Sequence, residues 1–270
     1  SHDLVRLIDQ KGLVPEEVYS GLINGQSSHD HSELENGLKG FLDGVRKSTV
    51  LSQNWKTAFS SILDSYIGSV SEQFTYNEKP YTPQTFAEQL NLNTDSYKTI
   101  TSFTHHPFYE NFILEIPDNY SNGTYFNMPL DELMSTLDFA ILAGYTVVWD
   151  GDVSEKGFSA SNGIAILPID NSTDDLFAAP REERKVTQEN RQISFENYRT
   201  TDDHLMHIIG IATDQKGTKF YLTKNSWGER GEYSGYLYMS EAYVKMKTVA
   251  LMLHKDGMPD DVRKKLKESK

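Results

Sequence analysis

The sequence contains no cysteine and no long apolar run, and acidic residues outnumber basic ones. Without cysteine, disulfides and thiolate metal sites are excluded within these 270 residues. No apolar run approaches the roughly 20 residues that a membrane-spanning helix needs. The 26 basic and 39 acidic residues give a net charge of −13, which repels a phosphate backbone and an anionic bilayer. Nucleic acid and membrane surfaces are therefore excluded as preferred partners.

The first hundred residues have the periodicity of helices. Apolar residues make up 37% of the chain, enough for one large domain or two smaller ones. Between Leu34 and Ile67 they recur at spacings of three and four, which predicts two amphipathic helices. In YTPQTFAEQLNL (81–92), Thr82 is placed as an N-cap and Pro83 as the first helical residue. This region is predicted to be mainly helical.

The rest of the chain is predicted to be rich in strands, with one long helix. Leu130 begins an apolar stripe of helical spacing that Gly144 ends. Residues 168–190 are acidic and aperiodic, which predicts an exposed excursion, and 258–270 read as a charged helical tail. The fold class is therefore α+β. The predicted strands are 145–149, 204–212, 218–227, 235–239 and 249–254.

A predicted hairpin brings together two polar side chains that carry chemistry. Asp203 and His204 open one strand, and Asn225-Ser226-Trp227-Gly228 closes the next, with a turn at 214–217 between them. Antiparallel pairing places the start of the first strand beside the end of the second. An imidazole next to a carboxamide can be held in one tautomer, as a thiol nucleophile requires of its base.

The residues around this pair resemble a known family. DHLMHIIGI, then KNSWG, then Gly235-Tyr236, closely resemble the histidine and asparagine motifs of papain-like cysteine peptidases. The stretches DLVRLIDQKGLVPEEVY, YTPQTFAEQLNLN, LDELMSTLDFAILAGYTVVWDGDVS and LMLHKDGMPDDVRKKL look like the bleomycin hydrolase and aminopeptidase C branch. The resemblance covers nearly the whole chain and is weakest over 21–75 and 168–190. It implies the papain-like fold with an incomplete first lobe.

The resemblance also implies roles for three residues. His204 would be the general base, Asn225 would orient it, and Trp227 would cover their hydrogen bond. His207 lies three positions further along the same strand, so its side chain should point to the opposite face. His204 is therefore the predicted base. The implied reaction is peptide hydrolysis, with aminopeptidase activity favoured, peptides as substrates, and neither a metal nor another cofactor.

The chain departs from the family at the nucleophile. Papain-like enzymes carry a glutamine and then a Cys-Trp pair, and neither occurs here. In the resembled branch they precede the segment matching DLVRLIDQKG, so we expect them upstream of residue 1, in the same polypeptide or a separate chain. The chain alone would then be inactive. Two alternatives stay open, namely an inactive papain-like binding or regulatory module, and another nucleophile such as the N-terminal Ser1.

The resemblance divides the chain into four expected segments. Residues 1–20 would be a remnant of the helical lobe, 21–100 a helical insertion, 101–256 the β-rich lobe bearing His204 and Asn225, and 257–270 a charged helix. Homo-oligomers occur in this branch, and both cytoplasmic and exported locations are compatible with it. The sequence gives little support to a metal site. The ligand types present in His29, Asp30, His31 and Asp202 have no recognised spacing.

Overall fold

The computed structural model describes residues 2–170 and 175–269. Two compact units divide the chain, one formed by Leu7–Leu92 and one by the residues up to Arg6 together with those from Asn93 onward. The helices are α1 (His2–Lys11), α2 (Ser32–Val45), α3 (Asn54–Ile67), α4 (Pro83–Gln89), α5 (Leu130–Leu142), α6 (Gln188–Glu196), α7 (Glu241–Lys247) and α8 (Asp260–Glu268). Among the helices of these ranges, none is both long and apolar enough to cross a bilayer.

The strands fall mainly in the second unit, as predicted. They are β1 (Phe74–Tyr76), β2 (Lys79–Tyr81), β3 (Tyr97–Thr101), β4 (Asn111–Ile113), β5 (Thr124–Asn127), β6 (Val147–Gly151), β7 (Phe158–Ser159), β8 (Ile164–Ala165), β9 (His204–Thr213), β10 (Lys219–Lys224), β11 (Tyr236–Ser240) and β12 (Thr248–His254). The mixture of helices with a large sheet confirms the predicted α+β class.

The unit Leu7–Leu92 contains α2, α3, the β1–β2 hairpin and α4. The start of α4 confirms the predicted cap. The Thr85 N–H donates to Thr82 Oγ1 at 3.2 Å, the Thr82 N–H donates to Thr85 Oγ1 at 2.9 Å, and Pro83 opens the helix. The side chain of Phe86, in α4, is buried against the ring of Tyr81. A local aromatic cluster therefore holds α4 on the hairpin.

The second unit is built on a ten-stranded sheet in the order β4-β5-β3-β12-β6-β9-β10-β11-β8-β7. Strand β12 lies inside it, antiparallel to both β3 and β6, and is buried over all but its last residue. Strand β3 (Tyr97–Thr101) belongs to the second unit because it pairs with β12. The division between the units therefore falls after Leu92, whereas the sequence predicted a boundary at about residue 100. Whether 1–20 is a lobe remnant and 21–100 an insertion stays a prediction.

Helix α5 covers one face of this sheet. Its stripe Leu130, Leu133, Met134 and Leu137 is buried, as the spacing predicts, in one cluster with sheet residues such as Trp149. Burial of such side chains contributes roughly 1.5–3 kcal/mol each. The helix ends just before Gly144, whose φ of +84° suits glycine. This packing fixes β6 and β9, the strands that lead to the candidate site.

The prediction for residues 168–190 is wrong in part. Pro168 forms a β-bridge with Glu183, and the Leu176 side chain is buried against Phe220 of the sheet. The segment therefore packs on the sheet through Leu176 and the partly buried Phe177, while Ile169 remains exposed. The structure also shows α6, which the sequence did not predict, capped by Thr187. Residues 171–174 lie outside the described residues.

Candidate active site

Strand β9 presents alternate side chains to the interior and to solvent. Met206 and Ile208 are buried and His204 is half-buried, whereas Leu205 and His207 are exposed. The pattern follows from the two-residue period of a strand. His204 is paired across the sheet with Gly151, at the end of β6. His204 therefore stands on the core-facing side at the very start of its strand.

The hairpin β9–β10 brings Asn225 beside His204. Asn225 directly follows β10 and is 7% exposed, and its backbone N–H donates to the Gly235 carbonyl at 2.9 Å. The His204 Nε2 and Asn225 Oδ1 atoms are 2.8 Å apart. The predicted juxtaposition of imidazole and carboxamide is thus present in the structure.

The hydrogen bonds around Asn225 define the tautomer of His204. The Ser226 N–H also donates to the same Asn225 side-chain atom at 2.8 Å, so that atom is the carbonyl oxygen and not the amide nitrogen. An oxygen accepts, so His204 Nε2 must carry the proton and Nδ1 must carry the lone pair. Among the described residues, Nδ1 has no hydrogen-bond partner. His204 is thus arranged to accept a proton at Nδ1.

Trp227 lies against the imidazole. The two ring centroids are 4.8 Å apart and the planes are tilted by 41°. The Phe158 ring also contacts the indole, edge-on, with the ring centroids 6.1 Å apart. The indole is 42% exposed, so it places an apolar surface between solvent and the His204 ring. A hydrogen bond shielded from water is electrostatically stronger than an exposed one.

His207 is separated from this group, as its position in the strand predicts. Its Nε2 atom lies 2.7 Å from the hydroxyl of Thr146. Partial desolvation of the His207 ring, on the side where it packs against the strand, lowers its pKa, and the nearby Lys224 ammonium also lowers it. The ring therefore belongs to the outer face of the sheet, and the structure does not bring it to Asn225.

A buried carboxyl group in β6, which interacts with Asp202 in the segment before His204, was missed by the sequence prediction. Asp150 of β6 is 3% exposed. Burial, a hydrogen bond to Asp202 and the negative charge of Asp202 together raise the pKa of Asp150 to about 8. Asp202 lies two residues before His204. The available signal was the run VVWDGD, in which an acid interrupts a buried apolar strand.

A second histidine cluster, His105 and His106 with Glu115, has the side-chain types of a metal site. The two Nε2 atoms lie 3.3 Å and 2.9 Å from the Glu115 carboxylate. Gln192 accepts the Thr104 N–H through Oε1, so its Nε2 donates to His105 Nδ1 at 2.9 Å. His105 Nε2 is then the protonated nitrogen and faces Glu115 as a donor, which favours a hydrogen-bonded cluster over a metal site.

The remaining sequence candidates contribute little. His29 and His31 are exposed in the helical unit, with ring centroids 5.5 Å apart, and Asp30 accepts the Ser32 N–H. Within residues 2–170 and 175–269, the side chains grouped closely enough to hold a metal are His105, His106 and Glu115, and not these residues. Ser1, the alternative nucleophile, lies outside the described residues.

The chain is similar to a family of peptidases. A family model described as the Peptidase C1-like family matches residues 2–270. The chain is 24% identical to aminopeptidase C of Lactobacillus delbrueckii subsp. lactis over 298 residues, and 28% identical to aminopeptidase C of Lactobacillus helveticus over 168 residues. These matches span 99% and 61% of this chain and 64% and 35% of the relatives.

A solved structure has the same fold. The crystal structure of PepW from Lactobacillus rhamnosis HN001 superposes with a TM-score of 0.71 at 21% identity, over 98% of this chain and 64% of that one. The fold is therefore that of papain-like peptidases. The chain belongs to the Peptidase C1-like family, in its aminopeptidase C branch, which confirms the resemblance seen in the sequence. It spans about two thirds or less of the length of these relatives.

Proposed function

We propose that this chain is the part of a cysteine aminopeptidase that supplies the histidine and asparagine of a Cys-His-Asn triad. The hydrogen bond of 2.8 Å between His204 Nε2 and Asn225 Oδ1 carries the proposal, because it leaves Nδ1 as the basic nitrogen. Further support comes from the family and from relatives named aminopeptidase C. The thiol would come from a cysteine upstream of residue 1, accompanied by a glutamine for the oxyanion hole.

In the complete site, His204 Nδ1 takes the proton of the thiol. The thiolate attacks the peptide carbonyl, and the imidazolium then donates its proton to the leaving amine as the carbon–nitrogen bond breaks. Water, deprotonated by His204, hydrolyses the thioester and releases the thiol. Asn225 keeps Nε2 protonated and the ring in one orientation throughout, and Trp227 shields their hydrogen bond.

The test combines the chain, by fusion or co-expression, with the upstream segment that the proposal requires. Hydrolysis of an aminoacyl amide with a chromogenic leaving group is then measured. Replacing His204 with alanine should lower kcat/KM at least about 100-fold, as expected for loss of a general base. His207→Ala is the matched control on the opposite face of β9. Activity that survives His204→Ala would contradict the assignment.

The absence of cysteine from the chain keeps a second function in view, that of an inactive papain-like binding module. The sequence upstream of residue 1 separates the two. A Gln followed by a Cys-Trp pair supports the peptidase, whereas an intact first lobe with the cysteine replaced supports the binding module. On the first proposal, the 270 residues by themselves do not hydrolyse the amide substrate.

A further inference from the structure

The backbone that leads into His204 is fastened to the end of β6. The Thr201 N–H donates to Asp152 Oδ2 at 3.0 Å, and the Asp203 N–H donates to the Gly151 carbonyl at 3.2 Å. Both contacts lie within three residues of His204. These contacts hold residues 197–203, here called the approach loop, which connect α6 to β9. The position of the His204 side chain at the start of β9 therefore depends on where Asp152 holds the approach loop.

Asp152 is a buried carboxylate with both oxygens in use. It is 2% exposed, Oδ1 accepts the Ser154 N–H at 2.8 Å, and Oδ2 accepts both the Thr201 N–H and the Lys247 ammonium, the latter at 3.3 Å. A buried carboxylate is stable only when it is paired and hydrogen-bonded. Lys247 supplies the positive charge that keeps the Asp152 carboxylate in place.

Lys247 joins three segments through one ammonium group. The side chain is 2% exposed, and besides Asp152 it donates to the Glu155 carboxylate and to the carbonyl of Arg199 in the approach loop. An ammonium has three N–H donors, and each has an acceptor here. The Lys247 carbonyl in turn accepts the Asp152 N–H at 3.1 Å. The pair is thus tied together by main chain and side chain alike.

We propose that Lys247 is a positioning residue for His204, acting through the Asp152 carboxylate and the backbone N–H of Thr201. This role rests on the proposed function, in which His204 is the base. Without the ammonium, the carboxylate loses its counter-charge and turns away or takes up a proton, and Thr201 loses its acceptor. The approach loop loosens, and the hydrogen bond between His204 and Asn225 opens more often.

The state of His204 can be read in the 270-residue chain without a thiol or a substrate. Histidine ring nitrogens labelled with ¹⁵N report the tautomer, and the exchange rate of the Nε2 proton reports how often the bond to Asn225 opens. His204→Gln assigns the signals. The variant is Lys247→Met, which keeps the length of the side chain without its charge. Lys219→Met is the matched control, because Lys219 lies in β10 of the same sheet and forms ion pairs with Asp138 of α5 and Glu241 of α7.

Lys247→Met should speed exchange of the His204 Nε2 proton about tenfold, the equivalent of one hydrogen bond, and should populate the other tautomer. Lys219→Met should leave both unchanged. In an Asp152→Asn background, whose amide oxygen can still accept from Thr201, Lys247→Met should add less than about twofold, because residues that act through one another are not additive.

The proposal is overturned if the His204 Nε2 proton exchanges no faster in Lys247→Met than in Lys219→Met. It is also overturned if Lys247→Met speeds this exchange as much in the Asp152→Asn background as it does in the wild type. If Lys247→Met does not fold, Asp152→Asn alone takes its place. It preserves shape and removes the charge that Lys247 pairs with, so exchange should still rise by about threefold, within the net contribution of one hydrogen bond. No rise would overturn the proposal. These measurements need no catalysis, so their outcome is independent of the kinetic test of the proposed peptidase function.

Discussion

The buried Asp150 should make the free energy of unfolding depend on pH. Its side chain is 3% exposed in a buried strand, and burial together with the neighbouring Asp202 raises the pKa of Asp150 from 3.8 to about 8. Since the folded state binds this proton more tightly than the unfolded state, the group favours folding most below pH 3.8. Stability is then lost as pH rises to about 8, above which the loss is complete.

The size of the effect follows from the shift in pKa. Each tenfold change in proton affinity corresponds to about 1.4 kcal/mol, so the change from 3.8 to about 8 sets a ceiling of about 6 kcal/mol. The interaction with Asp202 makes part of this shift a property of the pair, so Asp150 alone contributes less than the ceiling. We expect Asp150→Asn, which mimics the protonated form, to raise the free energy of unfolding by about 2–3 kcal/mol at pH 8.5 and to leave it unchanged near pH 4.

Chemical denaturation followed by far-UV circular dichroism at pH 4, 5.5, 7 and 8.5 measures this dependence. The wild-type chain should lose stability over that range relative to Asp150→Asn. Asp95→Asn, at an exposed position in the same unit, should run parallel to the wild type. If Asp150→Asn is less stable than the wild type at pH 8.5, or both have the same slope, the buried proton is not on Asp150.

Three further predictions concern the candidate site. Gly151→Ala should destabilise the chain by about 2 kcal/mol or more in denaturation, because its new methyl group would lie 2.3 Å from the Lys247 carbonyl. Gly210→Ala, with its nearest neighbour at 3.5 Å, should change stability by less than about 1 kcal/mol, and equal losses would contradict the packing argument. In the reconstituted enzyme, Asn225→Ala should lower kcat/KM about 10- to 100-fold, the value of a hydrogen bond to a charged ring; unchanged kinetics would remove its orienting role. Trp227→Ala should speed exchange of the histidine Nε2 proton about fivefold through loss of the ring contact, and slower exchange would refute shielding.

Local signals explain which parts of the fold were predictable. The cap at Thr82, the stripe along α5 and the turn between β9 and β10 are each specified by residues close in sequence, and the structure contains all of them. The ten-strand order was not predictable, because β3 and β12 meet across about 150 residues. The packed segment around Leu176 was misjudged for the same reason, since its partner Phe220 is distant in sequence.

In the candidate site, too, contacts between residues close in sequence were predictable and distant ones were not. His204 and Asn225 could be paired from sequence because one hairpin joins them, and the alternation of a strand separated His207 from them. The run VVWDGD could have marked Asp150 as an acid within a buried strand, but neither its interaction with Asp202 nor the ion pair of Lys247 could be predicted. A lysine at a helix end looks like a solvated charge in sequence, and only the sheet buries both side chains beside the approach to His204.

The orientation of His204 is a property of three adjacent strands. Strand β6 fixes the approach loop through Gly151, β9 carries the imidazole, and the end of β10 supplies Asn225. All three pair consecutively in one sheet, and none of these contacts uses the segment that would bring the thiol. The ring should therefore hold its Nε2-protonated tautomer before any nucleophile is present. On the proposed function, the sheet orients the base in advance, so that reconstitution would require delivery of a thiol to Nδ1 and no rebuilding of the pair.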